Sequence, residues 1–268
     1  MPRFSIETFS HPVPALSTSA TVHVMFPKDS AISSKRYPTL YMNDGQGIFF
    51  DDTRESVEGM RFASYAEEMA EFLPKLVIVA IEAPPTRFER MRWYLPAWNY
   101  SEQINVAYGS DFQCVGKKYA DWIANALKPY IDKMYPTDPS HRTTAIGGLS
   151  ASCIISSYIA GRFPAVFSKC MILSPSFYLW WPALEPLFRS FRYEHIDAFY
   201  SYVGTNEYGR ITQRDEFLRS SALIEQTLLE QGLPSAALKH ITQPGGEHTM
   251  VGWRYFFAEG LRWMFRQH

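Results

Sequence analysis

Along the chain, short runs of apolar and often β-branched residues alternate with longer stretches whose apolar positions recur every three or four residues. The short runs predict strands at 4–10, 20–26, 39–43, 76–81, 143–147, 168–174, 198–204 and 237–242. Leu76-Val77-Ile78-Val79-Ala80-Ile81 is apolar at every position, as a strand covered on both faces requires. The longer stretches predict helices at 64–72, 116–134, 151–161, 214–231 and 250–267. In 116–134, Tyr119, Trp122, Ile123, Leu127, Ile131 and Met134 fall at helical spacing. The first two strands read as an antiparallel pair joined around 12–17, and strand then alternates with helix. This rhythm predicts one α/β domain over 1–268: a doubly wound, mostly parallel eight-stranded sheet with helices on both faces. The segment 84–112 fits no element and carries Arg87, Arg90, Arg92, Trp93, Tyr94, Trp98, Tyr100 and Tyr108. It reads as an aromatic-rich loop insertion of the functional kind.

Composition narrows the picture only a little. A formal net charge of -1 gives no basic field for nucleic acid or an anionic membrane surface. No stretch is long and apolar enough to span a bilayer, and the first residues lack the pattern of a signal peptide. Cys114, Cys153 and Cys170 have neither metal-ligand spacing nor the look of a disulfide framework. A cytoplasmic protein, monomeric or homodimeric and free of metal or organic cofactor, is the expectation.

The chemistry is concentrated at strand ends. In Thr144-Ala145-Ile146-Gly147-Gly148-Leu149-Ser150-Ala151-Ser152 a strand runs through small residues into a serine and then a helix. That is the context of a nucleophile elbow, where a strained turn lifts a serine hydroxyl clear of the sheet and only small residues fit where strand and helix converge. The same letters would also describe a plain strand followed by a helix capped by Ser150. His248 follows the last strand in a Gly245-Gly246 loop, whereas His11, His23, His141, His195, His240 and His268 lie at termini, inside strands or at wrong strand ends. Glu207 falls just past the seventh strand, between serine and histidine in chain order. A carboxylate there orients the imidazole and stabilises the imidazolium that forms when Ser150 gives up its proton. Glu247 and Asp215 are rival acids, the first adjacent to His248 and the second in the following helix.

With these segments on the page, the chain resembles the Putative esterase family of α/β-hydrolases, which includes esterase D, enterochelin-type siderophore esterases, feruloyl and acetylxylan esterases and mycolyltransferases. The match is carried by Tyr41-Met42-Asn43-Asp44-Gly45-Gln46, the elbow, Phe163–Phe167, Leu173–Phe177, the Gly204–Glu207 loop and the Pro244–His248 loop. The resemblance implies an α/β-hydrolase fold and a serine carboxylic-ester hydrolase working on a small-molecule ester through an acyl-serine. It implies catalytic Ser150, Glu207 and His248 and an oxyanion hole from the N–H groups of Gln46 and Ala151. The aromatic clusters around Trp93 and Trp181, with Asp44, are expected on the substrate side, because aromatic walls suit sugar faces, phenolic acids or acyl chains. The aromatic stretch Phe177, Tyr178, Trp180 and Trp181 borders the site in the family. Ser152 stands where the family carries glycine. An acyltransferase and a catalytically silent binding protein are the alternative readings of the same scaffold.

Overall fold

A computed structural model of the chain describes residues 3–31, 34–51, 58–96, 108–109, 112–209 and 212–266. Eight strands form one sheet: β1 (Phe4–Val13), β2 (Thr18–Pro27), β3 (Thr39–Asn43), β4 (Val77–Ile81), β5 (Thr144–Leu149), β6 (Lys169–Leu173), β7 (Ala198–Gly204) and β8 (Leu238–Gln243). Their spatial order is β1-β2-β4-β3-β5-β6-β7-β8. β1 pairs antiparallel with β2, and β2 with β4, while every pair from β4 to β8 is parallel. The parallel strands therefore deliver their C-terminal ends to one edge of the sheet, where α/β sites assemble.

The helices are α1 (Phe62–Glu68), α2 (Arg87–Tyr94), α3 (Gly116–Trp122), α4 (Lys128–Met134), α5 (Ser152–Arg162), α6 (Trp181–Arg189), α7 (Arg214–Glu230) and α8 (Met250–Met264). α3 and α4 are one continuous rod joined by a π-helical turn, Ile123–Leu127. Pro129, with no N–H to give to that turn, sits just past it. Among the described residues no helix is long and apolar enough to cross a membrane.

The continuously apolar strands supply both faces of the sheet. Tyr41, Val77, Val79, Ile81, Ile146, Cys170, Ile172 and Phe199 pack on one side with α2, α3, α5, α6 and α7. Their neighbours Leu40, Met42, Ile78, Ala80, Ala145, Met171, Leu173 and Tyr200 pack on the other with α1 and α8. The period-two alternation of the pleat, invisible in an all-apolar run, thus divides each strand between two cores.

The predicted strands all form, with ends displaced by one to three residues at most. Two helices were unforeseen. α2 lies inside the segment read as irregular, and Thr86 starts it by accepting the Glu89 N–H at 3.1 Å. α6 carries Pro182 in its first turn and Pro186 inside it, letters that argue against a helix, yet Trp181, Leu184 and Phe188 bury one of its faces. Tertiary burial outweighed propensity there. The last helix ends at Met264, three residues before the predicted 267.

Phe62 of α1 and Phe257 of α8 meet edge to face at 4.7 Å, both fully buried. Phe257→Ala is expected to cost about 3–5 kcal/mol. Urea unfolding should show this as a lower midpoint with an unchanged m-value.

Candidate active site

β5 leaves the sheet at Leu149, and α5 begins at Ser152, leaving a turn barely two residues long. Ser150 closes that turn with φ of 55°, a left-handed conformation that costs a non-glycine residue roughly 1–2 kcal/mol. Its N–H donates to the Leu173 carbonyl of β6 at 2.9 Å, which holds the strained residue in register. A Cβ on Gly148 would lie 2.6 Å from the Ser152 carbonyl carbon, so strand and helix can approach this closely only over glycine. Ser152 is fully buried and stitched into the turn: its hydroxyl accepts the Leu149 N–H and donates to the Leu149 carbonyl, both at 2.8 Å.

Glu207 and His248 come from neighbouring strand ends. A Cβ on Gly204 would sit 2.2 Å from the Gly246 carbonyl oxygen, so the β7 and β8 loops touch backbone to backbone. The N–H groups of Thr205 and Asn206 donate across this contact to the Gln243 and Gly246 carbonyls, each at 2.9 Å. Glu207 is thereby fully buried. Its Oε1 accepts from the Gly204 N–H at 2.6 Å and from the Ser174 hydroxyl at 2.5 Å, and its Oε2 lies 2.9 Å from His248 Nδ1. A carboxylate has no proton to give, so Nδ1 donates and Nε2 is left as the acceptor. Nε2 lies 3.0 Å from Ser150 Oγ. The ring of Phe217 lies 4.5 Å from the imidazole, and that of Trp253 meets it at 4.8 Å and 86°. The rival acids Glu247 and Asp215 are both exposed to solvent.

The third wall is the turn after β3. Asp44 also adopts a left-handed backbone, with φ of 60°, and leads into the short 3₁₀ turn Gly45–Gly47. Asp44 is itself buried, and Arg90 of α2 grips its carboxylate with two bonds of 2.7 and 2.5 Å. Tyr94 donates to it at 2.9 Å. Burial first, and the Asp44 charge after it, push the Tyr94 phenol well above its usual range, so it keeps the proton it donates. The side chain of Gln46 accepts the Ala83 N–H at 3.1 Å and pins the turn to the strand beside it. Asn43, buried at the end of β3, accepts from Tyr119 at 2.7 Å and donates to Ser156 at 2.9 Å and the Gly147 carbonyl at 3.3 Å. It therefore ties the Gln46 turn to the elbow. The Ala151 N–H opens a helix, where first-turn donors find no partner within the helix itself.

The remaining predicted residues belong to the framework. Trp93 is buried with its ring 4.9 Å from Tyr119, and it borders a surface cavity of about 460 Å³ beside the β1–β2 hairpin. Trp181 is buried against Phe177 and Phe188. Arg90 serves Asp44, Arg92 pairs with Glu89 at 2.9 Å, and Arg87 stacks over Tyr108. Trp98 and Tyr100 lie outside the described residues. Sequence reasoning passed over Ser174, Asn43, Phe217 and Trp253. For Trp253 a local signal existed in its distance of five from His248. Among the described residues no three His, Cys, Asp or Glu side chains converge in a way that would hold a metal ion.

Arg90→Ala leaves the Asp44 carboxylate buried without its ion partner. Because Arg90 is about a quarter exposed, we expect a loss of about 2 kcal/mol in chemical unfolding rather than the larger cost of a fully buried pair. The thiols offer a second check. Burial pushes Cys114 up to about 12, and holds Cys153 and Cys170 well above the usual thiol range. Iodoacetamide at pH 8 should therefore leave all three unmodified in the folded protein by mass spectrometry and label them after denaturation.

Comparison with known proteins bears on the family and the fold. A family model described as Putative esterase matches residues 14–263. An uncharacterized protein of Bacillus subtilis (strain 168), YbbA, is 24% identical over 242 residues, covering 89% of this chain and 90% of its own. Among solved structures, a ferulic acid esterase superposes with a TM-score of 0.69 at 16% identity, covering 98% of this chain and 99% of its own. The enterobactin esterase of Shigella flexneri gives a TM-score of 0.75 at 15% identity, with 99% of this chain matched to 60% of that longer one. At those identities the structures speak for the fold, which is that of the α/β-hydrolases. The family match spans nearly the whole chain, sheet, elbow and histidine loop alike, and on it the chain belongs to the Putative esterase family.

Proposed function

We propose that the chain is one hydrolase domain acting as a serine carboxylic-ester hydrolase, with Ser150 as nucleophile, His248 as general base and acid, and Glu207 as the orienting carboxylate. The reading is carried by one observation: Ser150 Oγ, His248 Nε2, His248 Nδ1 and Glu207 Oε2 follow one another at 3.0 and 2.9 Å, starting from a serine in a left-handed turn. His248 takes the Ser150 proton as Oγ bonds to the ester carbonyl carbon, and Glu207 stabilises the imidazolium. The N–H groups of Gln46 and Ala151 receive the oxyanion. Both are held in advance, one by the Asn43 and Asp44 contacts and the other by the elbow, so neither must reorganise as charge develops. The tetrahedral adduct collapses, the alcohol leaves with the proton from His248, and water repeats the cycle on the acyl-serine.

Asp44 bears on the substrate side by fixing the Gln46 turn, while Trp93 and Trp181 act through the packing around Tyr119 and Phe177. The Ser176 N–H donates to the Ser150 carbonyl at 3.3 Å, which ties the start of the Ser176–Trp180 stretch to the elbow. At the far end of that stretch the rings of Trp180 and Tyr108 lie 5.6 Å apart, tilted by 49°. This aromatic pair suits a flat acyl or alcohol group on a small ester. A cytoplasmic setting fits Cys114, Cys153 and Cys170 in the free thiol state.

Hydrolysis of short p-nitrophenyl esters tests the reading. Ser150→Ala and His248→Ala should each lose roughly 10⁴-fold or more in kcat, and Glu207→Gln roughly 10³–10⁴-fold. A fluorophosphonate should label wild type at Ser150 and leave Ser150→Ala untouched. Turnover by Ser150→Ala at the wild-type rate would remove the nucleophile assignment.

A further inference from the structure

We infer that Trp253 is a positioning residue for the acid and the base, acting through Ser174 on Glu207 and through its ring on His248. The inference rests on the proposed triad and adds to it a residue that touches neither substrate nor nucleophile.

Its origin is local. Thr249 caps α8, its hydroxyl accepting the Gly252 N–H at 3.1 Å. His248 is the residue before the cap, and Trp253 is the fourth residue of the helix. Residues at these two positions pack on each other as the hydrophobic staple of helix starts, fixing the angle at which the chain enters the helix. Here the staple is built from the proposed base itself, and the two rings meet at 4.8 Å, nearly perpendicular. The helix start thus sets the plane of the imidazole.

The other end of the indole settles a proton. Trp253 Nε1 lies 2.7 Å from Ser174 Oγ. An indole N–H only donates, so Ser174 Oγ accepts there and its own hydrogen is free to point elsewhere. It points to Glu207 Oε1 at 2.5 Å. Without the indole donor, a serine hydroxyl rotates among several acceptors. With it, the hydroxyl is committed to the carboxylate. Ser174 is fully buried and itself held in a left-handed backbone, φ 53°, by its N–H bond of 2.7 Å to the Tyr202 carbonyl. A buried hydroxyl in a strained conformation, one residue beyond β6, is the kind of outlier that points to a role at the site. Oε1 is then saturated by Ser174 and Gly204, which leaves Oε2 to His248. One side chain thereby orients both partners of the Glu207–His248 bond.

The test uses the full chain with p-nitrophenyl acetate and three variants, Trp253→Phe, Ser174→Ala and the double. Phenylalanine keeps a ring in the staple and removes the N–H. We expect kcat to fall about tenfold in each single variant, the order that one hydrogen bond to a buried charge carries, with KM within about twofold of wild type. Because both variants break one relay, the double variant should be no slower than Ser174→Ala alone. The far-downfield proton resonance of His248 Nδ1–H should shift or broaden in all three, whether or not substrate is present. Wild-type kcat in Trp253→Phe, single-variant effects that multiply in the double, or an unmoved Nδ1–H resonance would each overturn the inference. If Trp253→Phe fails to fold, Ser174→Ala decides alone by the kcat-against-KM split and the resonance. These failures remain separate from failure of the triad. That would appear as turnover in Ser150→Ala, whereas an inactive Ser150→Ala beside a fully active Trp253→Phe removes only the role given to Trp253.

Discussion

The site depends on how closely α5 can approach β5. Gly148 lets the helix begin almost on top of the strand, and the distance is so short that even a methyl group on that residue would collide with the Ser152 backbone. Forced through so tight a turn, Ser150 has no right-handed option and takes the left-handed region. That cost is offset by neighbours that hold the turn from both sides. Leu173 of β6 accepts the Ser150 N–H, and the Ser152 hydroxyl closes on both polar groups of Leu149. In this position Ser150 Oγ comes within 3.0 Å of His248 Nε2, and Ala151 becomes the cap residue of α5.

Two further strained residues follow the same logic. Asp44 and Ser174 are also non-glycine residues with positive φ, one residue beyond β3 and β6 respectively. β3 and β6 are the two strands that flank β5. The sheet therefore carries three left-handed residues at adjacent strand ends, and each is locked by buried hydrogen bonds. Asp44 is held by Arg90 and Tyr94, Ser174 by Tyr202, Glu207 and Trp253. Strain of this kind persists only where surroundings over-determine the conformation, and three of the five non-glycine residues with positive φ among the described residues gather at this one sheet edge.

Burial gives the electrostatics their force. Glu207 is wholly out of solvent, so its charge must be satisfied by the protein, and it is: by a backbone N–H, by a hydroxyl and by the imidazole. With Oε1 saturated, the remaining lone pairs face the histidine alone. Asn43 performs the corresponding task among neutral groups, with its amide oxygen and nitrogen both engaged across β3, β5 and α5. The turn that carries Gln46 is thus not free to drift relative to the elbow.

Much of this was written locally. The short apolar runs pointed to eight strands, and fully buried ones such as Val77–Ile81 suit a sheet covered on both faces. The order Ser150, Glu207, His248 was legible because each follows a strand and each sits among the small residues that such strand ends need. The resemblance of those segments to one esterase family extended the reading to Gln46 and Ala151. What no local pattern contained was the partnership between distant segments. Arg90 and Arg92 look alike in sequence, yet only Arg90 reaches Asp44, because α2 forms and presents it to the β3 turn. α6 exists because tertiary burial overrode its two prolines, whereas α2 starts on a local cap from Thr86 inside a segment that reads as a loop. Ser174 and Trp253 are 79 residues apart, and only the parallel register that sets β6 beside β7 and lays α8 against their shared face brings hydroxyl and indole together. Local sequence decides most of the elements, since strand pattern, helical spacing and caps depend on neighbouring residues. Which side chains share a proton depends on strand order and helix docking, and these are decided by the packing of the whole sheet.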